Sequence, residues 1–263
     1  MSLTEPAAAA PAGLAALEER LRDDLVALGW PAKAWIPPST RDGQPVHDVL
    51  VIGAGPAGLA LSAALSQLGI AAVLLDKAPL DFEGPWATTA RMETLRSPKE
   101  LTGPALGLPS LTFRAWFIAQ WGREAWAALD KIPRLQWMDY LRWYRRVLNL
   151  DVRNQHRVLA VLPRADRLVQ LDIEAPAGRQ TVLARRVVLA TGRDGLGGAY
   201  VPDFARKLPR DRWAHSSDVL DYATLAGKRV GVVGAGASAM DSAATALEAG
   251  AASVDLLIRR DDI

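Results

Sequence analysis

The sequence predicts an α/β fold with two βαβ units, the second of them incomplete. Two short apolar runs, DVLVIGAGPAGLALSA (48–63) and RVGVVGAGASAMDSA (229–243), each lead into a glycine-rich turn and a helix of small residues. Between them, residues 156–190 alternate apolar and polar side chains, as strands of an antiparallel meander do. Half of the 263 residues are hydrophobic, which is enough for a sizeable core.

The composition argues against several classes of function. The chain has no cysteine, so disulfides, thiolate metal sites and thiol relays are excluded, and we expect no metal site. A net charge of +2 without a Lys/Arg block argues against nucleic-acid binding. The N-terminus does not resemble a secretory leader, and no apolar run is long enough to span a bilayer. We therefore expect a cytoplasmic protein, whose oligomeric state the sequence leaves open.

The first 45 residues are predicted to form a helix and a proline-rich linker. Leucines recur at helical spacing between residues 14 and 28, and Gly29 follows as a helix terminator. Such a helix packs on the main domain or, in the alternative, mediates dimerisation.

Residues 46–222 are predicted to form the first domain. Its βαβ unit comprises a strand at 49–52, a helix at 57–69 and a strand at 72–75. A tryptophan-rich insertion at about 85–150 follows, with helices at 113–126 and 137–148. Their aromatic residues form either core or the wall of a substrate or flavin site. The meander then ends in the run Ala190-Thr191-Gly192, and residues 223–263 form the partial second unit, with its last strand at 253–258.

The first glycine turn has the spacing of a dinucleotide site. Gly53 allows the tight turn, Gly55 lets a pyrophosphate approach the backbone, and Gly58 lets helix and strand pack closely. Asp76 follows Gly53 by 23 residues, at the end of the second strand. An acid at that distance accepts hydrogen bonds from a ribose hydroxyl, so we assign this role to Asp76.

The second glycine turn differs from the first beyond the loop itself. Gly234 and Gly236 repeat the pattern, and Ser238 either donates to a phosphate or caps the helix. The following strand leads to Arg259 and Arg260 instead of an acid. Guanidinium groups suit a 2′-phosphate, which favours NADPH over NADH, although a solvated arginine pair is the alternative.

These segments together resemble flavin-dependent monooxygenases with two dinucleotide-binding domains, the group that includes flavin-containing and Baeyer–Villiger monooxygenases. GAGPAG with Asp76 resembles the FAD loop of that group, EGPWATTARMETLRSPK (83–99) its G-G-x-W segment, VVLATG (187–192) its returning strand, and VGVVGAGASAMD its NADPH loop. The resemblance implies a Rossmann-like FAD-binding domain, a parallel sheet plus an antiparallel β-meander, with an incomplete Rossmann-like NAD(P)-binding unit. Members continue beyond this chain's last residue, so it also implies truncation at the C-terminus.

The resemblance also implies cofactors and site residues. The FAD site is expected to comprise Gly53, Gly55, Pro56, Ala57, Gly58, Asp76, Lys77, Gly84, Trp86, Val158, Ala190, Thr191 and Gly192. The NADPH site is expected to comprise Gly234, Gly236, Ala237, Ser238, Arg259 and Arg260. Such enzymes insert one oxygen atom from O₂ into a small organic substrate through a flavin hydroperoxide, and Arg96 is the candidate catalytic residue. The alternatives are a flavin reductase or dehydrogenase that serves a quinone or carrier, and a cofactor-binding remnant without activity.

Overall fold

The computed structural model describes residues 13–192, 195 and 197–259, which form two compact units. The first unit contains residues 13–84 and 95–192. The second contains residues 85–94 and the described residues from 195 onward. The short segment 85–94 therefore packs with the second unit, although the chain on both sides of it belongs to the first.

The first unit is built on one mixed sheet of seven strands. They are β1 (Ser39–Arg41), β2 (Gln44–Ile52), β3 (Ala72–Leu75), β4 (Val152–Arg153), β5 (Arg157–Pro163), β6 (Val169–Ala175) and β7 (Gly178–Leu189). Its strand order is β4-β3-β2-β7-β6-β5, with β1 paired to β2. Strands β4, β3, β2 and β7 run parallel, and β7, β6 and β5 form the antiparallel meander. The predicted α/β fold with a parallel sheet and a meander is thus confirmed. The α-helices of this unit are α1 (Gly13–Ala27), α2 (Pro56–Gln67), α3 (Phe113–Ala128) and α4 (Arg134–Val147).

The position of β2 in the sheet explains why the first apolar run lacks alternation. Leu50 and Val51 are consecutive in β2, and both are buried. A strand of a parallel sheet is covered on both faces, so neighbouring residues are both apolar. On the meander side, Leu171 and Ile173 join Leu50 in one core cluster.

The linker prediction is wrong just before the first glycine turn. Ser39–Arg41 and the first residues of β2 form a hairpin in which Ser39 pairs with Val46. Its turn is Asp42-Gly43, with φ values of 54° and 75°. Both angles are positive, as a type I′ turn requires, and Asp-Gly is a typical sequence for it. Strand β2 therefore begins at Gln44, five residues before the predicted start at Val49.

The tryptophan-rich helices pack their rings mainly against each other. We call these residues the aromatic cluster, and neighbouring ring centroids in it lie 4.8–6.2 Å apart. Helix α3 is interrupted at Gly122, where φ is 85° and ψ is 170°. The core interpretation of these helices is supported by their burial. The aromatic cluster comprises Phe113, Trp116, Phe117, Trp121, Trp126, Trp137, Tyr140, Trp143 and Tyr144.

The second unit contains the second βαβ element and several short helical turns. Strands β8 (Arg229–Val233) and β9 (Ser253–Leu257) are parallel, with Val233 opposite Leu257. Helix α6 (Ala237–Glu248) connects them and buries Ala243 and Ala246. A short helix, α5 (Asp203–Arg206), precedes them. Across the described residues of both units, no helix has the length and apolarity that a membrane span needs.

Candidate functional site

The first glycine turn cannot accept a side chain at Gly53. Its N–H donates to the carbonyl oxygen of Leu75 at 2.8 Å, which joins the ends of β2 and β3. The residue has a φ of 107°, and a Cβ there would lie 2.4 Å from the carbonyl oxygen of Ala190. Both the conformation and the space therefore require glycine.

The helix that follows is packed against this turn and presents an open N-terminus. A Cβ at Gly58 would lie 2.0 Å from the carbonyl oxygen of Gly53, so glycine is required for this approach. Gly55 is the N-cap of α2, and Pro56 is at the start of the helix. A Cβ at Gly55 would meet no atom within 4 Å. The space in front of the helical N–H groups is therefore free for an anion such as a pyrophosphate.

Asp76 connects this turn to the end of β3. It is 8 % exposed and is the first residue after the strand. Its Oδ2 accepts a hydrogen bond from the N–H of Ala54 at 2.8 Å, and its Oδ1 accepts one from Ala78 at 2.8 Å. Each carboxylate oxygen retains acceptor capacity for a ribose hydroxyl. The sequence predicted only that Asp76 contacts a ribose. It did not indicate that the carboxylate also accepts hydrogen bonds from the backbone of the chain.

The end of β7 forms another side of the same site. The N–H of Ala190 donates to the carbonyl oxygen of Ile52 at 2.8 Å, which places the Ala190-Thr191-Gly192 run beside the turn. The hydroxyl of Thr191 is buried and has no hydrogen-bond partner among the described residues. A buried polar group without a partner is uncommon in native proteins. Together with the open helix N-terminus, this hydroxyl fits a polar ligand such as a dinucleotide.

The remaining residues predicted for the first site are more dispersed. Val158 follows His156 by two residues, and the N–H of His156 donates to the carbonyl oxygen of Asp76 at 2.8 Å. Lys77 is exposed beside Asp76, and Gly84 is exposed at the end of the first segment of this unit. Arg96 is also an exposed residue of the first unit, whereas Trp86 belongs to segment 85–94 of the second unit.

Residues of α4, together with Asn154 after β4, hold the loop between Asp76 and Gly84. Arg145 Nη1 and Asn154 Nδ2 both donate to Oε1 of the buried Glu83, at 2.6 Å each. Arg142 donates from Nε to the carbonyl oxygen of Asp81 at 3.2 Å. Sequence reasoning missed these residues, because only the fold brings positions more than sixty apart into contact.

A cavity of about 680 Å³ lies elsewhere in the first unit, and its lining includes no residue of the glycine turn. Its lining includes Trp116, Trp143, Arg142, Arg145 and Arg146. Both tryptophans are only 3 % exposed, so they serve mainly as core.

The second glycine turn repeats the backbone arrangement of the first. The N–H of Gly234 donates to the carbonyl oxygen of Leu257 at 3.0 Å, and its φ is 131°. Gly236 is the N-cap of α6, and a Cβ there would meet nothing within 4 Å. Ala237 opens the helix, and Ser238 is half-buried in its first turn.

The ends of the second strands differ between the two units. Ile52 pairs with Leu75 in the first unit, and Val233 pairs with Leu257 in the second. Asp76 therefore corresponds to Ile258, and Lys77 corresponds to Arg259. Strand β9 ends at Leu257, one residue before the predicted end, and Arg259 is exposed. Arg260 lies outside the described residues.

No group of three or more His, Asp or Glu side chains that could hold a metal ion is present in the described parts of the two units.

Two glycine turns built on the same hydrogen bond define an α/β protein with two dinucleotide-binding βαβ elements. Residues 50–263 match the sequence profile of the family described as "Pyridine nucleotide-disulphide oxidoreductase", and the chain belongs to this family. The resemblance to flavoprotein oxidoreductases with two dinucleotide-binding domains is thereby confirmed.

One relative with a known name is a flavin-dependent hydroxylase. The chain is 46% identical over 252 residues to a protein of Xanthomonas campestris pv. campestris named "FAD-dependent urate hydroxylase". This match covers 94% of the chain and 52% of the relative, so the chain spans about half of that protein's length.

Solved structures share the fold. An FAD-bound cadaverine monooxygenase from Erwinia amylovora superposes with a TM-score of 0.65 at 22% identity, covering 82% of this chain and 52% of that one. An ornithine hydroxylase from Pseudomonas aeruginosa gives a TM-score of 0.69 at 20% identity, with coverages of 83% and 56%. At these identities the likeness shows the fold alone.

Proposed function

We propose that this chain provides the FAD-binding and NADPH-binding units of a monooxygenase that transfers one oxygen atom from O₂ to a small organic substrate. The observation that carries the proposal is the pair of equivalent glycine turns with different strand ends. One strand leads to Asp76, and the other leads to Ile258 and Arg259. Two turns with different ribose environments suit two different dinucleotides in one redox reaction.

The first turn suits FAD. The N–H groups at the start of α2 would hold the pyrophosphate, Asp76 would accept from the ribose, and the buried hydroxyl of Thr191 would donate to the ligand. FAD supplies two-electron redox chemistry and O₂ activation when it is bound. The protein's own contribution is to bind it, to orient it and to keep water away from the reacting atoms.

The second turn suits NADPH. An acid at the strand end would repel a 2′-phosphate, whereas Ile258 carries no charge and the exposed guanidinium of Arg259 can form paired hydrogen bonds with it. Arg260 would add a second guanidinium. NADH, with a free 2′-hydroxyl, should bind more weakly at this site.

Two alanine variants separate the roles of the two turns. Gly55→Ala and Gly236→Ala both add a Cβ that meets no protein atom within 4 Å, at φ values of −70° and −82°. The fold should therefore be retained in both. We expect Gly55→Ala to lose flavin absorbance, and we expect Gly236→Ala to keep it but to need about tenfold more NADPH for flavin bleaching, which equals about 1.4 kcal/mol of binding free energy.

The purified chain provides the first test. A yellow protein that bleaches on anaerobic addition of NADPH, and more slowly with NADH, supports both cofactor assignments. A colourless protein with a folded circular dichroism spectrum would instead support a cofactor-binding remnant without activity. If both alanine variants lose flavin equally, the assignment of separate sites is wrong.

The substrate class follows from the most informative named relative. Because a "FAD-dependent urate hydroxylase" is 46% identical to this chain, urate is the first compound to test. Oxygen uptake that depends on both NADPH and urate would support hydroxylation. Arg96 is exposed and is proposed to act on the reacting oxygen, so unchanged oxygenation in Arg96→Ala would remove it from the mechanism.

A reductase or dehydrogenase is the second candidate, because the matching family is described as "Pyridine nucleotide-disulphide oxidoreductase". The absence of cysteine from this chain argues against dithiol chemistry by its own residues. Reduction of a quinone that proceeds without an organic substrate and without O₂ uptake would favour this candidate over a monooxygenase.

A further inference from the structure

The aromatic cluster contains two neighbouring indoles with very different exposure. Trp116 is 3 % exposed and Trp121 is 45 % exposed, and their ring centroids are 5.3 Å apart. Trp116 also lies 5.9 Å from the ring of the buried Tyr140. A series of closely spaced oxidisable rings thus leads from the interior of the first unit to solvent.

We propose that the aromatic cluster conducts oxidising equivalents from the interior of the first unit to Trp121, where they leave the protein. The oxidant is a one-electron oxidant of the carbonate radical class, which takes an electron from a buried indole. An electron then passes from Trp121 to the buried radical cation, so the electron deficiency moves outward. Trp121 gives its indole proton to water, and the neutral radical gives a second electron to a second equivalent of the oxidant. Water then adds to the ring with loss of a proton, which forms hydroxytryptophan.

Solvation sets the direction of transfer. A radical cation on the buried Trp116 lacks water, and an unsolvated charge is costly. The same charge on Trp121 is hydrated, and its proton has a direct path to solvent. Each transfer outward therefore lowers the free energy.

Nearby cations disfavour a radical cation on Trp126, the other tryptophan near the end of α3, and so favour Trp121 as its final position. Lys99 Nζ lies 5.2 Å from the ring centroid of Trp126, and Arg114 Cζ lies 5.6 Å from it. Two positive charges at the face of Trp126 oppose a third on its ring. In the part of the chain that the structure describes, no such cation faces Trp121.

Tyr140 links the tryptophans of α4 to Trp116. Its ring lies 5.3 Å from Trp137 and 5.8 Å from Trp143. Its hydroxyl donates to the carbonyl oxygen of Leu111 at 2.8 Å, which is not a base, and burial raises the pKa of this phenol. Because a phenol is oxidised readily only with loss of its proton, Tyr140 serves as a bridge for electron tunnelling and does not hold the radical.

Trp35 provides a control within the same chain. It is 67 % exposed, more than Trp121, and it contacts no other aromatic ring among the described residues. We would ionise the indoles of the full chain with ultraviolet laser pulses and capture the ejected electrons irreversibly with pentaamminechlorocobalt(III). Peptide mass spectrometry then measures oxidation at each tryptophan.

If charge moves through the aromatic cluster, Trp121 is oxidised more than Trp35, whereas their exposures alone predict the reverse order. Trp121 should be about fivefold more oxidised than Trp35, since charge formed on the four buried indoles of the cluster drains to it. If oxidation follows exposure, Trp35 exceeds Trp121 and the proposal is overturned. Hydroxyl radicals in bulk water, which attack accessible rings directly, give the reference ranking.

Two variants identify the path. Trp116→Phe should lower oxidation of Trp121 by about twofold or more, because phenylalanine does not hold the charge. Trp121→Phe alters an exposed ring, so the fold should persist while oxidation moves to the buried tryptophans. Unchanged oxidation of the buried rings in Trp121→Phe contradicts the proposal even if Trp116→Phe fails to fold. The test needs no bound cofactor, so its outcome is independent of the proposed function.

Discussion

Two buried tyrosines of α4 provide a matched test of hydrogen bonding in the aromatic cluster. Tyr140 and Tyr144 are both fully buried. The hydroxyl of Tyr140 donates to the carbonyl oxygen of Leu111 at 2.8 Å, whereas that of Tyr144 has no partner among the described residues. Removing the hydroxyl should therefore have opposite effects at the two positions.

The magnitudes follow from the two environments. Tyr144→Phe removes an unsatisfied buried hydroxyl and should raise the free energy of unfolding by about 1 kcal/mol. Tyr140→Phe removes a satisfied hydrogen bond and should lower it by about 1 kcal/mol. The gap of about 2 kcal/mol corresponds to about 4–8 °C in Tm for a chain of this size. Thermal and urea denaturation, followed by circular dichroism, measure both variants against the wild type.

Alkaline pH gives an independent check on Tyr144. Burial raises the pKa of Tyr144 above the ordinary value near 10. The unfolded chain therefore ionises this group first, and the free energy of unfolding of the wild type falls as the pH rises above about 10. By pH 11 the unfolded state gains about 1.4 kcal/mol from ionising one such tyrosine. The advantage of Tyr144→Phe over the wild type should therefore grow by that amount between pH 8 and pH 11. If Tyr144→Phe destabilises the protein as much as Tyr140→Phe, this reasoning is refuted.

Three further variants test contacts within the first unit. Arg145→Met leaves the carboxylate of Glu83 buried without its cation and should cost about 3 kcal/mol, and adding Glu83→Gln should recover most of it in urea denaturation. Lys99→Met removes an ammonium that donates to carbonyls at the end of α3, which should cost about 1 kcal/mol, and an unchanged Tm would contradict this. Asp76→Asn replaces an acceptor oxygen by a donor, so it should cost about 1–3 kcal/mol and reduce flavin content, whereas unchanged stability would show that the Asp76 contacts are unimportant in solution.

Local sequence patterns predict those features of the fold that depend on neighbouring residues. The glycine spacing at Gly53 and Gly234 predicts both turns, because each turn needs a positive φ that glycine adopts easily. The strands around them follow from short apolar runs. The hairpin at Asp42-Gly43 was also readable, since that pair favours its turn, but the prolines nearby suggested a linker.

Contacts between distant residues are not readable from one sequence. Glu83 and Arg145 are 62 positions apart, and no periodicity indicates that they pair. The same holds for the contact of Asp76 with Ala54, since the carboxylate must lie within 2.8 Å of one particular N–H. Sequence spacing identifies a residue type suited to a ribose, but the distances within the folded chain show its second partner.

The two strand ends differ in a way that should make the first site hold its proposed ligand more tightly than the second. Asp76 holds the first turn through Ala54 before any ligand arrives, so less ordering is needed on binding and the ligand is held more tightly. The equivalent residue in the second unit is Ile258, whose side chain accepts no hydrogen bond from its turn. The second turn is thus held at its strand end by the bond from Gly234 to Leu257, and ordering the loop must be offset by ligand contacts. A prearranged first site therefore suits a ligand that is held tightly, and a less constrained second site suits a ligand that is held more weakly.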